Sequence, residues 1–167
     1  MAELEIERKY IIAIPDVSEI SKMDEYTVSE ISQTYLESQA RVAHRVRRRV
    51  FAGYTEYTET KKMRVDKITA VEDERAINEE EYMLLLKNIR QGSRTLTKTR
   101  HTFLYKGKVF EIDEYPEWEK SCIMETELVS KDECVIFPPF IRIIREVSGE
   151  RAYSNSSMSS SFPKEEE

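Results

Sequence analysis

The chain opens Met1-Ala2-Glu3-Leu4-Glu5-Ile6-Glu7-Arg8-Lys9-Tyr10, and the run ELEIERK from Glu3 to Lys9 decides the fold. Read as a strand, it sends successive side chains to opposite faces, so Glu3, Glu5, Glu7 and Lys9 share one side. Like charges stacked along one sheet face repel. The same spacing recurs downstream. Arg45, Arg47 and Arg49 alternate with Val46 and Val50, and Lys98 and Arg100 alternate with Thr99. Glu72 and Glu74, Glu111 and Asp113, and Glu125 and Glu127 are further acid-x-acid pairs. A solvated sheet face is the plain alternative, because antiparallel sheets commonly keep one face wet. Such a face usually mixes signs, whereas here the signs are segregated strand by strand. Clustered carboxylates suit hard divalent cations, and paired Arg or Lys side chains suit phosphate oxygens. The pattern therefore predicts charged faces turned inward, into a barrel or tunnel, with a metal between the acids.

Composition sets the frame for that reading. A chain of 167 residues is long enough for one domain with a real core. Charged residues make up 35% of it, yet the net charge is only -6. A nucleic-acid binder would show a basic excess, so no nucleic-acid partner is expected. No apolar run approaches bilayer length and no signal-peptide pattern is present, so a cytoplasmic protein without a membrane partner is expected. The two cysteines, Cys122 and Cys134, have no motif spacing, which suits a reducing compartment.

Runs rich in Thr, Tyr and Phe predict strands over 3–13, 31–39, 41–51, 54–63, 68–76, 94–104, 108–115 and 122–129. Ala52-Gly53 and Lys106-Gly107 read as hairpin turns. Asn78 caps a predicted helix through EEEYMLLLKNIRQ that stops at Gly92. Asp16, Ser130 and Ser148 are further candidate caps, the last opening a helix through Met158. The expectation is α+β: a closed antiparallel eight-stranded β-barrel with a few flanking helices over 1–158, then a disordered polar tail over 159–167.

These residues carry a resemblance. Glu5-Ile6-Glu7-Arg8-Lys9 resembles the ExExK signature of the CYTH superfamily, the triphosphate tunnel metalloenzymes. The remaining elements follow in order: Gln33-Thr34-Tyr35-Leu36, Arg45-Val46-Arg47, Thr60-Lys61-Lys62, Glu72-Asp73-Glu74, Lys98-Thr99-Arg100, Phe110-Glu111-Ile112-Asp113, Glu125-Thr126-Glu127 and Tyr153-Ser154-Asn155. The resemblance extends to about Met158 and includes a short helix over 130–139 ending in prolines. It implies a tunnel that binds a small-molecule triphosphate with Mg²⁺ or Mn²⁺, in a monomer or homodimer. It implies a triphosphatase, with inorganic tripolyphosphate favoured because the chain is compact. Thiamine triphosphatase, class IV adenylate cyclase and a non-catalytic polyphosphate-binding module are the alternatives. By the same resemblance Glu5, Glu7, Glu125 and Glu127 hold the principal metal, and Glu72, Glu74 and Asp113 assist a second. Lys9, Arg45, Arg47, Lys62, Lys98, Arg100 and Arg151 clamp phosphates. Tyr35 and Lys62 are the expected catalytic pair, an ammonium favouring the phenolate beside it. Two positions depart from the family pattern: Ala70 and Ala152 stand where basic residues are usual.

Overall fold

A computed structural model of the chain describes residues 2–167. Nine antiparallel strands make up the sheet: β1 Glu3–Ala13, β2 Asp24–Tyr35, β3 Val42–Phe51, β4 Tyr54–Arg64, β5 Thr69–Ile77, β6 Leu96–Tyr105, β7 Lys108–Glu114, β8 Ser121–Glu127 and β9 Ile143–Glu146. Their order is β5-β4-β3-β2-β6-β7-β8-β1-β9. Pairing of β5 with β1 closes the first eight into a barrel, leaving β9 as an extra strand. Closure depends on β1 changing partners along its length. Glu3–Ile6 pairs with β5, Glu7–Ala13 pairs with β8, and Tyr10–Ile12 also takes β9. A closed barrel leaves no unpaired edge among its eight strands.

The predicted strands match the observed ones in place and order, with two differences. Strand β2 runs over Asp24–Tyr35 instead of the expected 31–39, and β9 was not expected because its four residues, Ile143–Glu146, show no clear alternation. Both hairpins follow the sequence cue: Ala52 and Gly53, and Lys106 and Gly107, have positive φ at both central positions, as a primed turn requires.

Three short helices flank the barrel. Helix α1 (Val17–Ile20) is capped by Asp16, and α2 (Glu79–Leu85) by a full capping box between Asn78 and Glu81. Helix α2 lays Tyr82 and Leu85 over Leu36, Val46 and Tyr57 on the outer face of the barrel. The helix expected over 130–139 does not form. Instead the segment crosses the barrel wall as an extended cover, putting Val135, Phe137, Phe140 and Ile141 over Tyr10, Ile12, Phe110 and Met124. Val135, Ile136 and the Pro138-Pro139 pair disfavour helix there. The helix expected from Ser148 is also replaced. Ser148 accepts from the Lys9 backbone N–H, Gly149 has φ +72, and α3 (Asn155–Met158) begins only after Ser154, which caps it. A β-carbon at Gly149 would lie 2.6 Å from the Lys67 carbonyl oxygen, so only glycine fits this crossing.

Inside the barrel the inward parity changes character along each strand. On β1 it runs Glu5, Glu7, Lys9 and then Ile11; on β8 it runs from Glu125 to Ile123; on β6 Leu96 precedes Lys98 and Arg100. The apolar members gather with Tyr115, Trp118, Val147, Tyr153 and Met158 into a plug filling one end. Residues 159–167 do not form the expected disordered tail, because the plug gives them something to bind. Phe162 packs at 5.3 Å from both the Tyr115 and Trp118 rings, and the Trp118 indole N–H donates to the Pro163 carbonyl. The Glu165 carboxylate accepts from the backbone N–H groups of Glu119, Lys120 and Ser121. Glu166 meets Arg145 and the Tyr153 hydroxyl.

Trp118 is the only tryptophan, so it reports on this strap. Deleting residues 162–167 should shift its fluorescence to the red and lower the thermal midpoint by several degrees. An unchanged emission spectrum would show that the segment does not cover the plug.

Candidate active site

The charged half of the barrel interior encloses a cavity of about 560 Å³. Glu5, Glu7 and Lys9 of β1, Tyr35 of β2, Arg45 and Arg47 of β3, Lys62 of β4, Glu72 of β5, Arg100 of β6, Glu125 of β8 and Arg151 line it. One cavity therefore collects most of the residues that the sequence singled out. Arg64 and Arg90 line it as well and were not singled out, and Glu111 and Asn155, which stand in quoted motifs but were given no role, line it too. Arg64 was legible, since it continues the parity of Thr60 and Lys62, and Glu111 lies on the same parity as Asp113. Arg90 had no signal: it arrives from the loop after α2 because its backbone N–H donates to the Tyr35 carbonyl at 2.9 Å.

Register explains how the segregated charges coexist. Neighbouring strands bring opposite signs together: Lys9 faces Glu125, Lys62 faces Glu72 and Arg100 faces Asp113. Lys62 stands at the centre of the acids, its Nζ 2.6 Å from Glu5, 3.4 Å from Glu7 and 3.6 Å from Glu72. The expected explanation, a metal between stacked acids, is thus incomplete, because lysines from adjacent strands already neutralise part of the cluster. Among the described residues no three His, Cys, Asp or Glu side chains converge as a ready-made metal site.

Four predicted residues lie away from the cavity lining. Asp113 is buried beneath it, with both oxygens engaged: Oδ1 accepts from Arg100 Nε at 2.7 Å, and Oδ2 accepts from Lys98 Nζ at 2.7 Å and Arg100 Nη2 at 2.8 Å. Lys98 is equally buried, under Tyr115, so its ammonium reaches Asp113 rather than the cavity. Glu74 accepts from Thr60 and Arg47, and Glu127 sits exposed at the end of β8. Tyr35 and Lys62 both line the cavity, but the carboxylates hold Lys62, while Tyr35 pairs in register with Arg45 and lies under the Arg90 guanidinium at 5.5 Å. Ala70, one of the two departures, is opposite both Glu5 and Arg64, so Arg64 brings positive charge to the place where the side chain is missing.

The titration shifts follow from this crowding. Burial and the nearby Glu125 charge push the Glu7 carboxyl up to about 7, against the pull of Lys62 and Lys9. Glu125 is lowered in spite of burial, chiefly by the Lys9 ammonium. Burial lowers Arg47 to about 10, helped by the positive charges of Arg45 and Arg100. Arg45 Nε is buried without a hydrogen-bond partner. Crowded guanidinium groups with an unused donor suit an anion, and a carboxyl held up to neutral pH suits a cation.

A closed eight-stranded barrel with opposed acidic and basic rows inside is the CYTH-like triphosphate tunnel fold. No family model and no curated protein matches the sequence. Among solved structures, the inorganic triphosphatase NE1496 superposes with a TM-score of 0.60 at 28% identity, covering 96% of this chain and 97% of that one. The PH1819 protein of Pyrococcus horikoshii OT3 gives a TM-score of 0.57 at 25% identity over 77% of this chain and 80% of its own. The PH1012 protein of the same organism, at 18% identity and a TM-score of 0.58 over the same shares, shows the fold alone. No helix among the described residues is long and apolar enough to cross a membrane.

A carboxyl whose folded pKa is raised stabilises the protein below its unfolded value, near 4.5, and that stability is lost as pH rises through about 7. Without divalent metal, the wild type should therefore lose on the order of 2 kcal/mol between pH 5 and pH 8 through Glu7. Glu7→Gln should remove that component. Thermal melts of the two proteins at both pH values check it; parallel pH dependence would contradict the burial of an unrelieved charge.

Proposed function

We propose that this chain is a metal-dependent triphosphatase and that inorganic tripolyphosphate is its simplest substrate. The observation that carries this is the single cavity in which Arg45, Arg47 and Arg100 face the carboxylates Glu5, Glu7, Glu72 and Glu125. The similarity to the triphosphatase NE1496 across nearly the whole of both chains supports the same class of chemistry.

Each group has a part in that reaction. The guanidinium groups of Arg45, Arg47 and Arg100 bind and orient phosphoryl oxygens, with Arg64 and Arg151 toward the mouth. Glu5, Glu7, Glu72 and Glu125 are hard oxygen donors suited to Mg²⁺ or Mn²⁺. When bound, such a cation supplies Lewis acidity and a more acidic water. Lys62 exchanges its carboxylate partners for a phosphate oxygen, which frees Glu5 and Glu7. The apolar plug, strapped by residues 162–167, keeps bulk water out of the far end. Tyr35 stands beside Arg45, where its hydroxyl aligns the attacking water by hydrogen bonding.

Tyr35 is the one aromatic side chain among the described lining residues, and Leu36, Val42 and Ala43 are the only aliphatic ones. An adenine or thiazolium ring would find few apolar surfaces, which favours a bare polyanion over a nucleotide or thiamine triphosphate. A cytoplasmic protein acting as a monomer or homodimer is consistent with this proposal.

Phosphate release from tripolyphosphate should require Mg²⁺ or Mn²⁺ and stop in excess chelator. Glu5→Gln should abolish turnover, and Arg47→Ala should weaken substrate binding by about 1.5–3 kcal/mol. Full activity in chelator would sink the metal assignment, and absence of turnover with metal would leave a binding module. Tyr35→Phe should lower kcat more than it raises KM across a pH–rate profile; curves superimposable on the wild type would reduce Tyr35 to packing.

A further inference from the structure

The C-terminal segment brings a side chain into the cavity that the charged rows do not explain. Asn155 lines the cavity beside Arg151, Ser154 and Ser156. Its Oδ1 accepts a hydrogen bond of 2.6 Å from the Tyr115 hydroxyl. Tyr115 itself is 3% exposed, belongs to the plug and does not line the cavity. An amide whose oxygen is fixed from behind presents its NH₂ group on the other side. That side is the cavity, where the basic rows await an anion.

Three further residues, Arg90, Arg94 and Lys9, hold this segment in place. The Arg90 guanidinium donates to the Ser156 hydroxyl at 2.7 Å, the Ser156 carbonyl at 2.6 Å and the Ser159 hydroxyl at 3.0 Å, clasping the segment that carries Asn155. The backbone N–H of Arg94 donates to the Ser159 carbonyl at 2.9 Å. Lys9 Nζ donates to the Tyr153 carbonyl at 3.2 Å, tying the preceding turn to the floor. Ser154 and Ser156 flank Asn155 in sequence and both line the cavity, so the whole segment presents small polar groups there.

We propose that Asn155 is a substrate-binding residue whose amide NH₂ donates to a phosphoryl oxygen, and that Tyr115 is the positioning residue that fixes this amide. The assignment rests on the triphosphatase reading and deepens it. It supplies a neutral, directional donor that discriminates an oxygen at one position without adding charge to a site already rich in arginine. The geometry also links the plug to the substrate, since the group that orients the amide is part of the apolar core. A change in the plug is then felt at the site through one hydrogen bond.

A double-mutant cycle tests it with inorganic tripolyphosphate and Mg²⁺. Asn155→Ala should raise KM about tenfold with a smaller effect on kcat. Tyr115→Phe, which removes one oxygen from a residue outside the cavity, should raise KM several-fold. In the Asn155→Ala background Tyr115→Phe should add nothing, because there is no amide left to orient. Asn155→Asp should be worse than Asn155→Ala, since a carboxylate accepts where a donor is needed and repels the phosphate. Thermal melts identify any variant that fails to fold, and Asn155→Ser then replaces Asn155→Ala. Wild-type KM in Tyr115→Phe, or effects that add fully in the double variant, would overturn the proposal while leaving the triphosphatase reading intact. If the wild type neither binds nor cleaves tripolyphosphate, both fall together.

Discussion

Every charge that points into a closed barrel must find its counter-charge inside that barrel. The wall excludes the solvent that would otherwise screen it, and an unpaired buried ion is costly. In this protein the constraint is met by register. Because β1 pairs with β8 through Lys9 and Glu125, and β4 pairs with β5 through Lys62 and Glu72, an acid on one strand meets a base on the next. The pairing is incomplete. Glu7 lies beside the Glu125 charge, Glu111 faces Glu125, and Arg45, Arg47 and Arg100 crowd together. Those residual imbalances, acids on one side and guanidinium groups on the other, are what the proposed function draws on: the acids suit a cation and the guanidinium groups a polyanion.

The same parity builds the rest of the molecule. Inward positions beyond the charged zone become Ile11, Leu96, Tyr115 and Ile123, which close one end of the tunnel. Outward positions such as Tyr10, Ile12, Phe110 and Met124 form a second core beneath the 130–141 cover. Strands β1, β6 and β8 each thus serve two cores and the site. This is why the C-terminal segment is bound so firmly: it completes the plug through Tyr153 and Met158, and Phe162 and Glu165 seal its outer side.

Much of this was legible because a period of two is a strong signal when charges mark it. The ELEIERK run placed Glu5, Glu7 and Lys9 on one face, and the strand order of acidic and basic rows implied an enclosed site. The cues failed where placement depends on contacts distant in sequence. Nothing local in Arg90 announces that it will clasp Ser156, and nothing in SMSSSFPKEEE announces a docking surface on Trp118. Lys98 and Asp113 share the parity of the site residues yet lie beneath it, because parity assigns a face and not a depth. Tyr35 and Lys62 do share the cavity as expected, but parity does not choose partners: Arg45 is the register partner of Tyr35, and the carboxylates hold Lys62.

A tunnel whose residual acids suit a cation and whose crowded guanidinium groups suit a polyanion should bind the two cooperatively. Thermal midpoints measured with Mg²⁺ alone, tripolyphosphate alone and both together test it most directly. Modest stabilisation by either is expected, with a shift for both together that exceeds the sum of the two. Shifts that are merely additive, or absent with tripolyphosphate, would contradict it.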